Sequence, residues 1–149
     1  MKITDQKVDR QELYEFLVKT DQLFPTPISQ KTDLCAYAGK LDERADIVSC
    51  IENDRLCGVA AGYITNSVSD MAYISMVAVL PGFQGRGIGA EMVRAFISRA
   101  EKAGKKGVHL YAVYSNTPAM RMYRKIGFEE YVIENEPLPE NAHLVYWMR

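Results

Sequence analysis

The order of hydrophobic patterns in this sequence predicts a mixed α/β fold: a central, mostly antiparallel sheet flanked by about four helices. Three observations carry that expectation. Between residues 47 and 80 three apolar runs are joined by short turns, and strands joined so tightly are antiparallel because a parallel pair needs a long crossover. A helix-period stretch from residue 88 then leads to a further strand at 108–113, and a crossover of that kind makes this strand a parallel neighbour of the run ending at residue 80. The length, 149 residues, suits one core, so the expectation is a single domain over 1–149.

Asp9, with Glu12 three residues later, has the form of a capping box, and Leu13, Phe16, Leu17, Thr20 and Phe24 recur at helical spacing. This predicts a first helix over 9–23, stopped by Pro25 and Pro27. A second, over 30–43, sets Leu34, Tyr37, Ala38 and Leu41 on one face. Residues 47–52 and 56–64 read as a hairpin turning at Asn53, Asp54 and Arg55. Gly58, Ala60, Ala61 and Gly62 lower the strand propensity of the second run but leave room for a ligand or a helix close to the sheet. After a turn at 66–70 comes the strand 71–80. The helix over 88–103 lines up Ile88, Met92, Phe96, Ala100 and Ala103, and Gly104 ends it beside Lys105 and Lys106, read as solvated helix-end charges. Asn116, Thr117 and Pro118 start a short helix, 118–126, whose stripe is Ala119, Met122, Tyr123 and Ile126 and whose end is Gly127. Strand-like alternation at 129–134 and 143–148 surrounds a polar loop at 135–141, expected to cover one side of a groove.

The chemistry gathers where the strand 71–80 gives way to its helix. Gly85, Gly87 and Gly89 stand at alternate positions, so the backbone there can bring bare N–H groups against an anion. The following helix adds the unpaired N–H groups of its first turn, and Arg86 adds a full charge. A P-loop would need a lysine and a hydroxyl residue where Ile88 and Gly89 stand. Gly85, Gly87 and Ala90 fit the dinucleotide fingerprint formally, but the next strand-like run, 108–114, lacks its acidic residue.

Gln84-Gly85-Arg86-Gly87-Ile88-Gly89 after an apolar strand, together with Asn116, an aromatic-bearing helix and Gly127-Phe128, resembles the GCN5-related N-acetyltransferases. The resemblance is strong over about residues 71–128 and rests further upstream on element order alone. It implies acetyl transfer from acetyl-coenzyme A, as cosubstrate, to an amine by direct attack on the thioester. It further implies that Gln84, Gly85, Arg86, Gly87, Ile88, Gly89 and Ala90 hold the pyrophosphate. In such proteins the fourth and fifth strands, here the runs at 71–80 and 108–113, splay apart. The pantetheine then pairs with backbone near Val77, Ala78 and Val79 as a missing strand would. Asn116 belongs to the cofactor side and Tyr123 is the candidate that assists the leaving sulfur, while a strand N–H near Val77 faces the developing oxyanion. Phe24, Thr26, Ile28 and Tyr37 become acceptor-side candidates. The glutamate that several family members carry on the strand falls at about Tyr73 here, so the expected proton path runs through water and Ser75, Asp70 or His143. A coenzyme-binding sensor without turnover and a protein or peptide N-acetyltransferase are the other readings.

A formal net charge of −1 gives no electrostatic case for nucleic acid or an anionic membrane. The resemblance makes a small-molecule amine the expected partner, and a homodimer is left open. No apolar run approaches a membrane span and the first residues lack the order of a secretory signal, which leads to a cytoplasmic expectation. Cys35, Cys50 and Cys57 are odd in number and lack C-x-x-C spacing, and are expected as buried free thiols. No cluster of residues has metal-ligand spacing, so no metal is expected.

Overall fold

The computed structural model describes residues 1–132 and 138–149. Helix α1, Arg10–Thr20, starts where the Asp9 carboxylate accepts from the Glu12 N–H at 3.2 Å, and it buries Leu13, Phe16, Leu17 and Thr20. It ends earlier than its hydrophobic spacing implies. Asp21–Leu23 tightens into a 3₁₀ turn, where the buried Asp21 carboxylate accepts from the backbone N–H of Ser29 at 3.0 Å and from its hydroxyl. Ile28–Gln30 is a 3₁₀ turn of its own, and α2 (Leu34–Arg44) begins only where Asp33 accepts from the Cys35 N–H at 2.9 Å. Capping, rather than periodicity, therefore sets both helix starts.

Strands β2 (Asp46–Glu52) and β3 (Arg55–Tyr63) form the expected hairpin, with a turn of two residues: Asn53 and Asp54 both take positive φ, 51° and 61°, and Arg55 already pairs with Glu52. Strand β1, Lys2–Thr4, pairs with β2 and was not foreseen, because three residues show no alternation. Then come β4 (Met71–Val79), α3 (Ile88–Lys102), β5 (Gly107–Val113), α4 (Thr117–Ile126), β6 (Glu129–Glu130) and β7 (Asn141–Trp147). Among the described residues they make one sheet in the order β1-β2-β3-β4-β5-β7-β6, antiparallel except for β4 with β5. The expected strand over 129–134 is laddered with β7 at Glu129 and Glu130, and the Tyr131 N–H donates to the His143 carbonyl at 2.8 Å; its last two residues and the first three of the loop 135–141 lie outside the described residues.

The parallel pair carries the split. Met71, Ala72 and Tyr73 pair with Gly107, Val108 and His109, and there the β4–β5 ladder stops, while β5 continues along β7 to Val113. The register between β3 and β4 also slips: Ala61 opposes Met76 but Gly62 opposes Ile74, which leaves Ser75 as a β-bulge. The bulge reverses the alternation of β4. Ala72 and Ile74 belong to the core under α3 and α4, whereas Met76 and Ala78 belong to the core under α1 and α2. Gly62 permits it, since a Cβ there would stand 2.0 Å from the Tyr73 carbonyl oxygen and 2.9 Å from the Ile74 Cα. At Gly58 the room is taken by a helix: a Cβ would lie 2.9 Å from Met92 Cε of α3.

Cys50 and Cys57 are buried free thiols, as expected, but Cys35 is exposed. It occupies the first turn of α2, ahead of Ala38, Gly39 and Leu41, which are the residues this helix buries. Among the described residues no helix is long and apolar enough to cross a membrane.

Candidate active site

Where β4 and β5 part, a cleft of about 1220 Å³ passes through the sheet. Phe24, Thr26, Ile28 and Tyr37 line it on the α1–α2 side, Ser75 and Val77 on β4, and Asn116, Ala119 and Tyr123 on the α4 side. Two molecules can thus meet in it from opposite faces of the sheet. All four acceptor-side candidates named from the sequence line this cleft, as do Val77, Asn116 and Tyr123.

The edge of β4 toward the gap follows from its pairing on the other side. The Leu80 N–H donates to the Cys57 carbonyl at 2.9 Å, and with Ala78 opposite Val59 and Met76 opposite Ala61 the same register continues down the ladder. Alternation then points the backbone groups of Ala78 at β3 and those of Val77 and Val79 at the gap. Of the three strand residues expected to meet a ligand, Ala78 is therefore engaged in the sheet. The Val79 carbonyl also accepts from Gln84 Nε2 at 3.2 Å, so Gln84 folds back on the strand end.

Tyr123 is buried, with its ring edge-on to Phe128 at 5.5 Å, and burial pushes its phenol up to about 12. Among the described residues no hydrogen bond engages its hydroxyl. Asn116 caps α4, its side-chain oxygen accepting from the Ala119 N–H at 3.4 Å.

The glycine loop stands apart from the lining of the cleft, at the far end of β4. Gly82, Gly85 and Gly87 have φ of 91°, 83° and 76°, and a Cβ on any of them would meet nothing within 4 Å, so the loop presents open backbone. Gly87 caps α3 without a side chain. The first helical bond runs from the Glu91 N–H to the Gly87 carbonyl at 3.1 Å, which leaves the N–H groups of Ile88, Gly89 and Ala90 without intrahelical acceptors. Gly89 has a packing role as well, since a Cβ there would sit 3.3 Å from Met122 Sδ of α4. Arg86 reaches away from this cradle: its Nη1 lies 3.1 Å from Glu52 Oε2, and its guanidinium sits over the Phe83 ring at 5.1 Å. Lys105 donates to the carbonyls of Ser67 and Ser69, and Lys106 lies 3.4 Å from an Asp70 oxygen, so both tie the end of α3 to the 66–70 turn.

Of the three proton-path candidates Ser75 alone lines the cleft, where its hydroxyl lies 3.0 Å from that of Tyr37. Asp70 precedes β4 at the end where β4 and β5 are paired. His143 lies on β7 with its Nε2 3.1 Å from His109 Nδ1 and its ring stacked on Tyr111. Burial, then the neighbouring His143, lowers the pKa of His109. Tyr73, against His109, is raised by burial. This cluster escapes a reading of the sequence because His109 and His143 meet only through the β5–β7 register; the visible signal is the shared parity of Tyr73, His109, Tyr111 and His143 on the sheet face opposite α3.

Comparison with known proteins converges on one family. The model of the acetyltransferase (GNAT) family matches residues 10–128. The chain is 32% identical over 113 residues to the [ribosomal protein bS18]-alanine N-acetyltransferase of Salmonella typhimurium, covering 76% of this chain and 72% of that one. It is 35% identical over 95 residues to an N-acetyltransferase of Methanocaldococcus jannaschii, covering 61% of this chain and 42% of the relative's length. Among solved structures, Arabidopsis thaliana NAA60 in complex with acetyl-CoA superposes with a TM-score of 0.77 at 15% identity, covering 99% of this chain and 100% of that one.

Proposed function

The chain belongs to the GNAT acetyltransferase family, and we propose that it moves an acetyl group from acetyl-coenzyme A to an amine by direct attack on the thioester. The observation that carries this reading is the end of the β4–β5 ladder at Tyr73 and His109, which opens the sheet beside Tyr123. The residues present fit that cosubstrate. The open backbone at Gly85 and Gly87 and the bare N–H groups of Ile88, Gly89 and Ala90 suit a pyrophosphate, and the β4 edge at Val77 and Val79 suits the pantetheine amides.

The thioester supplies an activated acetyl carbon. The amine lone pair forms the new N–C bond as the C–S bond breaks. The Val77 N–H is the donor for the oxyanion, because it lies on the edge facing the gap. Tyr123 donates a hydrogen bond to the departing sulfur and keeps its proton: with its phenol near 12 and a thiol near ~8.5, full transfer would be uphill by about 5 kcal/mol. The thiolate takes its proton from water afterwards. The proton lost by nitrogen leaves through water at the Ser75 and Tyr37 hydroxyls.

The Salmonella relative is named for an alanine of a protein, so peptides belong beside small amines among the acceptors to be tried. The test is a screen of sugar amines, amino acids, polyamines and peptides read by release of free thiol, with acetyl-coenzyme A binding measured by calorimetry. Amine-dependent thiol release above hydrolysis is the expected result. Tight binding with no transfer to any amine would replace the enzyme by a coenzyme-binding sensor.

A further inference from the structure

The wall of the cleft on the α1–α2 side carries Lys31 and Lys40 and no acidic residue. That bias is local, since the whole chain has 18 lysines and arginines against 19 aspartates and glutamates. Lys40 follows Ala36 and Tyr37 on the stripe of α2 that faces the cleft, and Lys31 ends the preceding 3₁₀ turn, so both are held by regular structure. Four of the cations outside the cleft are ion-paired: Arg86 with Glu52, Arg99 with Asp5 and Asp46, Lys106 with Asp70, and Lys7 with Asp42. Among the described residues neither the Lys31 nor the Lys40 ammonium has an ion-pair partner.

Both lysines also lie away from the phosphate cradle. The residues from Gln84 to Ala90 do not line the cleft, and α2 covers the sheet face opposite α3 and α4. A cosubstrate held by the glycine loop and the α4 side therefore has its phosphates at one end, and the lysines meet whatever arrives from the other face. Glu140, in the turn that leads into β7, is the acidic residue among the described lining. A cation is thus favoured on one wall and an anion on the other.

Resting on the amine-acetylation reading, we propose that the acceptor is an amine that also carries an anionic group, a carboxylate or a phosphate, which Lys31 and Lys40 hold while the amine faces Ser75 and Val77. Tyr37, which lines the same cleft, would supply a ring edge for the carbon chain and fixes the Ser75 hydroxyl at 3.0 Å. Exposed charge contacts are individually weak, so the pair together should favour such an acceptor by roughly tenfold over its neutral counterpart, and salt should erode that preference.

The experiment compares matched acceptors: amino acids and acidic dipeptides with their carboxamides, and aminoalkyl phosphates with the corresponding amino alcohols. Each is assayed by thiol release with wild type and with the Lys31→Ala/Lys40→Ala double variant. The expected result is a higher kcat/KM for the anionic member in wild type and loss of that preference in the double variant. Turnover of neutral amines and acetyl-coenzyme A affinity by calorimetry should stay unchanged. The carboxylate and phosphate arms identify which anion is read. Equal use of charged and neutral acceptors by wild type, or a preference that survives in the double variant, overturns the proposal while leaving acetyl transfer intact. A fall in acetyl-coenzyme A affinity also overturns it, by assigning the lysines to the cosubstrate. Absence of transfer to every amine overturns the acetyl-transfer reading, and this proposal with it.

Discussion

Tyr123 and Arg86 show how differently single residues bear on the proposed reaction. Tyr123→Phe keeps the ring against Phe128 and removes only the hydroxyl, which has no hydrogen bond among the described residues, so a melting curve should be nearly unchanged. Turnover should fall by about 10²-fold, the lower end of the range for acid or hydrogen-bond assistance, because a phenol near 12 donates without transferring its proton. Steady-state kinetics with a working acceptor decides it, and wild-type turnover would return Tyr123 to the core. Arg86 is held by Glu52 in a pair whose partners are 52% and 26% exposed, a contact worth about 0.2–1 kcal/mol at most. A charge-assisted phosphate contact is worth about 1.5–3 kcal/mol, enough to draw the guanidinium off Glu52. Arg86→Ala should therefore raise the KM for acetyl-coenzyme A by roughly tenfold or more with little change in kcat, whereas Glu52→Gln should lower that KM slightly. If both variants bind acetyl-coenzyme A as wild type does, Arg86 serves the β2–β3 hairpin alone.

At the scale of elements, the loop between β4 and α3 and the bulge in β4 depend on glycine for different reasons. Gly87 needs its φ of 76°, and a valine there would be strained by about 1–2 kcal/mol as well as filling the cradle. Gly104 has nearly the same requirement, φ 81° with open space around it, but ends α3 at the opposite end from the loop. Gly87→Val and Gly104→Val should thus lower Tm by similar amounts, and only the first should lose acetyl-coenzyme A binding by calorimetry; equal affinity in the two would move the pyrophosphate elsewhere. Gly62 is a matter of contact, because a Cβ would press on the backbone of β4 at Tyr73 and Ile74. Gly62→Ala should cost about 1–3 kcal/mol or more and lower Tm by roughly 3–10 °C, with turnover falling as Ser75 and Val77 shift. A variant as stable and active as wild type would show that the bulge can relax.

For the molecule as a whole, the β5–β7 register creates a pH dependence of stability. His109 has a pKa below its ordinary value near 6.5 because it is buried and faces His143, with Tyr73 and Tyr111 as its other ring neighbours. The unfolded chain then takes up the proton first, so this contribution to stability is complete above about 6.5 and is lost as pH falls through that value toward the depressed one. Tm should drop over that interval in wild type and less in His109→Gln; parallel curves would assign the effect to other groups. The same register explains what could be read in advance. The fold class, the parallel crossover and the glycine loop are local: turn chemistry, hydrophobic period and short connections act over a few residues and leave their mark in the sequence, as Asn53-Asp54 and Asn116-Thr117-Pro118 do. The bulge at Ser75, the use of Ala78 in the β3 ladder, the pairing of Arg86 with Glu52 and the approach of His109 to His143 depend on which segments lie side by side. Those neighbours are chosen by packing across the whole sheet, where a one-residue slip reverses every face. The sequence by itself thus determined most of the elements and the glycine loop, while the tertiary structure alone decided which backbone edges and side chains face the cleft.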